Sequence, residues 1–319
     1  MLTVTPITPR FGATCSGLDL TRKLTPAEVC EVTDAMDQWG ITVWRNTGMS
    51  DADHVEFSRN FGFLERVPLR EDTPYRLPFR ELFDASNLNA QGDITNDPAA
   101  ILYRKGDRLW HTDSAFMSLR TSYSLLLAHD VPREGGETWF ADTRSAYDDL
   151  SQAMKDKLEG LIGVNSLWWS RKQAGADISE EEIDARPKAE HPLVHVHKGS
   201  GRKALFIAAH TMDVTGDIKG MDQAEGRALI RELIEHATQP QYIFSVSWNA
   251  GDMVIWDNLC SMHKGGEYDY TTRRRDMRRT TVREGTEPHQ LETGDDPYGE
   301  LFAMAPRVVD INAARAAGQ

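Results

Sequence analysis

DMVIWDNLCSMHKG, residues 252–265, is the stretch on which the fold turns. A short apolar run, Met253 to Trp256, follows a glycine and ends in the polar pair Asp257-Asn258. It is too short for a helix and reads as a buried strand entering a tight turn, with a histidine just beyond. The same texture recurs on both sides. YSLLLA (123–128), ETWFAD (137–142), PLVHVH (192–197), KALFIAA (203–209), QYIFSVSW (241–248) and RRTTVR (278–283) are rich in Val, Ile, Thr or aromatic residues and bounded by Gly and Pro. KGSGRK (198–203) reads as a hairpin turn. Two helical patterns interrupt the strands, at about 145–160 and at 222–238. Nearer the N-terminus, Thr25-Pro26 opens a helix to about Gln38, and Gly40 stops it. ITVWR (41–45) then forms a strand, and Ser50 caps a second helix, 51–61, ended by Gly62. Residues 65–105 are polar and rich in Pro, Asn and Asp, and read as loops. The expected fold is mostly β with flanking helices, a double-sheet barrel of the jelly-roll kind (a double-stranded β-helix). It would form one domain over residues 1–285, followed by a polar, then Ala-rich, tail at 286–319.

The chain has 319 residues, 40% hydrophobic and 27% charged. That is enough to bury a core without disulfides or structural metals. It has no run of 18 apolar residues, so no membrane span is expected. Its first residues lack a basic segment followed by an apolar one, so no signal peptide is expected. Three widely spaced cysteines make no disulfide framework and suit a reducing cytoplasm. The net charge of −13 opposes binding to nucleic acid or to an anionic membrane.

Four groups of residues can carry chemistry. His111-Thr112-Asp113 would, on a strand, point one imidazole and one carboxylate the same way. A lone His-x-Asp is more often a satisfied polar pair. His263 would add a second imidazole, completing two histidines and a carboxylate, the set that holds Fe(II) with positions left open. RRRDMRRTTVR (273–283) places six arginines in eleven residues. If extended, Arg275, Met277, Arg279, Thr281 and Arg283 share one face, and two arginines could each clamp a carboxylate. A charged edge strand is the plainer reading. In GGET (135–138), a turn enters a strand and sets the Thr138 hydroxyl where it can donate to an anion. His195-x-His197 also has strand spacing, but these residues flank a probable turn and suit a supporting or exposed place. His54-x-Glu56 lies in a helix, where i and i+2 diverge. Trp168 and Trp169 suit a pocket wall or the core equally.

Taken in order, HTD, GGET, WDN with His263, and RRDMRRTT resemble the Fe(II)/2-oxoglutarate-dependent taurine dioxygenase family, and most nearly its 2,4-dichlorophenoxyacetate branch. FSRNFGFLE (57–65) and GSGRKALFI (199–207) extend the likeness. The resemblance implies Fe(II) on His111, Asp113 and His263, with the distal carboxylate of 2-oxoglutarate on Arg275 and Thr138. Arg279 would meet the anionic group of the primary substrate, aided by a basic residue such as Arg70; where a second basic residue would lie, this chain has Asp93. Loops at about 65–105 and 165–190 would form lids. The implied reaction consumes O2 and 2-oxoglutarate, releases succinate and CO2, and hydroxylates a small carboxylate, either an aryloxyalkanoate or a modified amino acid or biosynthetic intermediate. Asp113 favours hydroxylation, because related halogenases lack this carboxylate. A homodimer or tetramer is expected. Two rival readings use the same three residues: a zinc hydrolase, and a non-catalytic jelly roll that binds an anion or metal.

Overall fold

The computed structural model of the chain describes residues 1–67, 75–215 and 222–285. Its centre is a seven-stranded sheet. In spatial order its strands are Thr3–Pro6, Ala13–Ser16, Ile41–Trp44, Met253–Asp257, Thr121–Asp130, Asp276–Arg283 and Phe83–Asp84. A smaller sheet of Ile243–Val246, Thr138–Asp142 and Ser261–Gly265 faces it. This is the expected double-sheet architecture.

Strand periodicity builds the two layers. Along Thr121–Asp130, Leu126 and Ala128 face inward and join Phe140, Trp256, Val254 and Met277 between the sheets. Leu125 and Leu127 face outward and pack with Val29, Met36, Val55 and Phe57 of the N-terminal helices. The alternation is that of the pleat. Burying Phe140 and Trp256, at 0% and 1% exposure, is worth roughly 2–3 kcal/mol each at about 25 cal/mol per Å².

The first helix, Pro26–Trp39, has the expected Thr25 cap, with Glu28 closing the capping box, and ends on Gly40 at φ 70°. Ser50 caps Asp51–Ser58 in the same way. The pattern read as one helix at 145–160 is two, Thr143–Asp148 and Gln152–Leu158, because Ser151 caps a new start. KGSGRK does turn a hairpin, pairing Val196 with Lys203. The strand expected over 203–209 stops at Leu205.

The stretches read as loops contain helices. Pro98–Lys105 lies in one, and Leu167–Gln173 and Glu180–Asp184 in the other. Arg171 stacks on Tyr103 at 4.1 Å, joining the two stretches near the barrel mouth. Among the described residues no helix is long and apolar enough to cross a membrane. The tail at 286–319 and Arg70 lie outside the described residues.

Candidate metal centre

His111 and His263 meet through the backbone. Each donates its N–H to the other's carbonyl, at 2.9 and 2.8 Å, in an isolated antiparallel bridge. The HTD triplet is therefore not part of a longer strand. After Asp113 the chain turns sharply at Ser114, a non-glycine residue at φ 53°, in the left-handed region that costs a side chain of this kind strain. The bridge and the turn, rather than strand alternation alone, bring the side chains together.

All three donors are buried, and their ligand atoms lie within 4.8 Å of one another. His111 Nε2 is 4.0 Å from Asp113 Oδ1, and His263 Nε2 is 3.8 Å from Oδ2. Both gaps are too long for hydrogen bonds. Donors around one transition ion, each bonded at about 2.0–2.2 Å, sit about 3–4 Å apart, so slight closure fits a metal. His111 Nδ1–H donates to the Leu109 carbonyl at 2.8 Å, which leaves Nε2 as the lone-pair nitrogen of the neutral ring. Burial, and then the neighbouring His111, push the His263 imidazole well below its ordinary range. It is neutral at pH 7, the form that ligates.

Asp113 is held from several sides. Its N–H donates to Asn258 Oδ1 at 3.1 Å, and Ser124 Oγ donates to Oδ2 at 2.7 Å. Asn258 Nδ2 in turn donates to Ser124 Oγ at 2.9 Å. The WDN turn thus aims the carboxylate. Burial alone would raise the Asp113 carboxyl. Arg279, then His263 and His111, outweigh it and hold the group well below the usual carboxylate range.

The arginine strand keeps the expected parity from Met277 to Thr281, while Arg275 precedes the strand and register shifts fall at Asp276/Met277 and Thr281/Arg283. Met277 sits between the sheets, and Thr281 lies opposite Ser124. On the other face, Arg278 pairs with Asp51 and Asp276, and Thr280 bonds Ser58 and His54. Arg279 reaches the site, donates to Asp113 Oδ1 and lies 4.8 Å from the Phe83 ring. Arg275 donates to the Ala85 carbonyl at 3.2 Å, while its buried Nε has no partner among the described residues. Burial lowers its pKa, an unfavourable position for a cation that makes no carboxylate ion pair among the described residues. The Thr138 hydroxyl accepts from Trp248 Nε1 at 3.0 Å, which leaves its own proton free to donate. Gly135 and Gly136, both at φ near +70°, make the turn that delivers it.

Other sequence candidates are placed elsewhere. His195 bonds the Leu259 carbonyl at 2.6 Å and His197 bonds Asp257 Oδ2 at 2.8 Å, so both brace the WDN turn. His197, Asp257 and Cys260 form a second buried trio of possible donors. His197 already spends Nε2 on Asp257, burial drives the Cys260 thiol well up, and the Arg144 cation lies beside it. That arrangement suits a structural network rather than a second metal. Trp168 and Trp169 leave the site: they pack with Ile183 and Met212, under Arg186 and Arg227. Asp93 lies in a tight turn with Asn89. His210 escaped the sequence reading. It is 3% exposed, 5.9 Å from the His111 ring and 5.1 Å from Phe116, with Nδ1 unpartnered among the described residues.

A jelly roll that gathers two buried imidazoles and one carboxylate within 4.8 Å of one another, and that also carries a buried guanidinium, Arg275, with no carboxylate ion pair among the described residues, has the donor set of a mononuclear metal oxygenase that uses a carboxylate co-substrate. The chain belongs to the taurine catabolism dioxygenase TauD, TfdA family, whose profile matches residues 3–281. It is 40% identical over 277 residues to the alpha-ketoglutarate-dependent 2,4-dichlorophenoxyacetate dioxygenase of Burkholderia sp. (strain RASC), covering 86% of this chain and 92% of that protein. It is 31% identical over 283 residues to the (S)-phenoxypropionate/alpha-ketoglutarate-dioxygenase of Sphingobium herbicidovorans, covering 85% and 91%. The crystal structure of AAD-2 in complex with Mn(II) and N-oxalylglycine matches with a TM-score of 0.81 at 37% identity, over 90% of this chain and 99% of that one. The protein is an Fe(II)- and 2-oxoglutarate-dependent dioxygenase that uses O2 and acts on a small molecule. Neither a zinc hydrolase nor a non-catalytic jelly roll finds support among these relatives.

Proposed function

We propose that the protein hydroxylates an aryloxyalkanoic acid at the carbon bearing the ether oxygen. The observation that carries this reading is Arg279. Its guanidinium lies over the Phe83 ring at the edge of the metal centre, so a carboxylate head would meet the cation and an aryl body would find Phe83 and Phe116. Relatives whose names specify phenoxyacetate or phenoxypropionate substrates support the same class.

In this reading His111, Asp113 and His263 hold iron, which supplies the site where O2 is activated as 2-oxoglutarate is oxidatively decarboxylated. Arg275 and Thr138 hold the distal carboxylate of 2-oxoglutarate. Arg279 donates to Asp113 through one terminal nitrogen, and its buried Nε has no partner among the described residues, so donors would remain for the substrate anion. Overall, one C–H, one O2 and one 2-oxoglutarate become C–OH, succinate and CO2. The product is a hemiacetal, which collapses to a phenol and a 2-oxo acid. We infer a cytoplasmic homo-oligomer as well; light scattering of the purified protein reads its assembly state.

The test is turnover with Fe(II), 2-oxoglutarate and either phenoxyacetate or each enantiomer of 2-phenoxypropionate. Succinate and phenol should appear in equal amounts. Arg279→Gln should raise the KM for the acid about 10–100-fold, the worth of one charge-assisted pair. Succinate release driven by alkyl sulfates but by no aryloxy acid would refute the substrate class.

A further inference from the structure

Helix Pro98–Lys105 and the turn Gly106–Arg108 lie outside the barrel, across from the strand that carries His263. Between them is a cavity whose wall includes Arg104, Lys105, Asp107, Arg108, Tyr268 and Arg275. Four cations and one carboxylate line it. In a chain of net charge −13 this is a local reversal of sign. Asp107 is partly spent on Arg171, at 3.9 Å. Arg108 has Glu267 at 3.9 Å and Tyr270 beneath it at 5.3 Å. Among the described residues, Arg104 and Arg275 have no carboxylate partner.

The far wall is held rigidly. Asn87 Nδ2 donates to the carbonyls of Tyr270 and Arg273, both at 2.8 Å, and its Oδ1 accepts from the Arg275 N–H at 2.8 Å. The Arg275 backbone is thereby fixed before any anion arrives, and its guanidinium donates to the Ala85 carbonyl at 3.2 Å with the Tyr268 ring 6.0 Å away. Like charges gathered around one cavity repel, and its single carboxylate, Asp107, offsets only part of that repulsion.

We propose that Arg104 is a further co-substrate-binding residue. With Arg275 it brackets the distal carboxylate of 2-oxoglutarate across this cavity, and Arg108 adds charge behind it. Segment 98–108 is then the wall that closes the co-substrate site. The inference rests on the assignment of Arg275 to 2-oxoglutarate. What ties the cavity to 2-oxoglutarate is Arg275, which lines it with Gly265 and Gly266 just beyond His263; Thr138, Arg279, Phe83 and Phe116 are not among its lining residues.

The experiment is anaerobic calorimetric titration of 2-oxoglutarate into the Mn(II)-loaded protein at two salt concentrations. Wild type, Arg104→Gln, Arg104→Lys, Arg275→Gln and Arg279→Gln are compared, and thermal unfolding checks that each is folded. Arg104→Gln should bind 2-oxoglutarate about 10-fold more weakly, Arg104→Lys should recover part of the loss, and added salt should narrow the difference. The KM for the aryloxy acid should not move. Wild-type affinity in Arg104→Gln with a large loss in Arg275→Gln overturns the role of Arg104 alone. Wild-type affinity in Arg275→Gln overturns the assignment beneath it. A loss of aryloxy-acid binding in Arg104→Gln, with 2-oxoglutarate unaffected, gives the cavity to the primary substrate and overturns the proposal.

Discussion

Replacing Asn258 with alanine should loosen the metal centre without touching a ligand. The side chain is 1% exposed and makes three hydrogen bonds. Its Oδ1 accepts from the Asp113 N–H and from Trp256 Nε1, both at 3.1 Å, and its Nδ2 donates to Ser124 Oγ at 2.9 Å. Alanine leaves two buried donors without partners, at about 1–3 kcal/mol each, so the expected cost is about 4 kcal/mol. That is a large share of the 5–15 kcal/mol by which a domain is stable, and at roughly 2–4 °C per kcal/mol it lowers Tm by about 10 °C. Asp113 loses its backbone anchor, and Ser124 loses the donor that orients it toward Oδ2. Metal affinity should fall about 10–100-fold, the range for lost partners of metal ligands. Urea unfolding of the metal-free protein reads the first effect, and Mn(II) titration by electron paramagnetic resonance reads the second. Ser124→Ala should weaken metal binding by the same route, and the double variant should fall short of the sum. Asn258→Ala with wild-type Tm and Mn(II) affinity would refute the reasoning.

Three further outcomes are expected. Phe140→Ala should cost about 3–5 kcal/mol in urea unfolding, because a fully buried ring between the sheets leaves a cavity that strand pairing on both sides keeps open. Gly135→Ala should destabilise the GGET turn and raise the KM for 2-oxoglutarate, since φ is +72° and the added Cβ would lie 2.3 Å from the Glu267 carbonyl oxygen. Acid should also destabilise the fold through His54, whose pKa burial lowers to about 4. A depressed folded-state value means the contribution is complete above the ordinary 6.5 and is lost as pH falls toward about 4. The unfolding free energy of His54→Gln, measured from pH 7 to 4, should therefore fall less steeply than that of wild type.

Particular residues show how far the sequence could be read. The shared parity of Met277 and Arg279 was legible because a strand's period is two and Met277 marks the apolar side, whereas Arg275 precedes the strand and is placed by Asn87. Asp276 and Arg278 fall on the other face as expected, where Arg76 and Asp51 meet them. The strand that carries His263, Ser261–Gly265, has no β-branched residue, so propensity alone does not reveal it; its pairing with Thr138–Asp142 makes it a strand. Helix Pro98–Lys105 did leave a signal, with Asp97-Pro98 at its start and Arg104-Lys105 at its end, hidden among turn-forming neighbours. His197 and Asp257 are 60 residues apart, and nothing local in either predicts their bond.

These successes and failures share a cause that bears on function. His111, Asp113 and His263 are positioned by a backbone bridge, a turn and the WDN network, all of which depend on a few residue types at fixed spacing. Such a site leaves a readable trace, and reaction class follows from it. The walls that select the anions are set differently. Arg104 comes from a helix outside the sheets, and its reach depends on how that helix docks. Docking is governed by tertiary contacts such as Arg171 on Tyr103, which can change while HTD, GGET and WDN stay as they are. Affinity for 2-oxoglutarate can therefore be tuned on helix 98–105 while the chemistry stays anchored in the sheets, and substitutions at Arg104 should alter the KM for 2-oxoglutarate well before they alter the coupling of succinate release to hydroxylation.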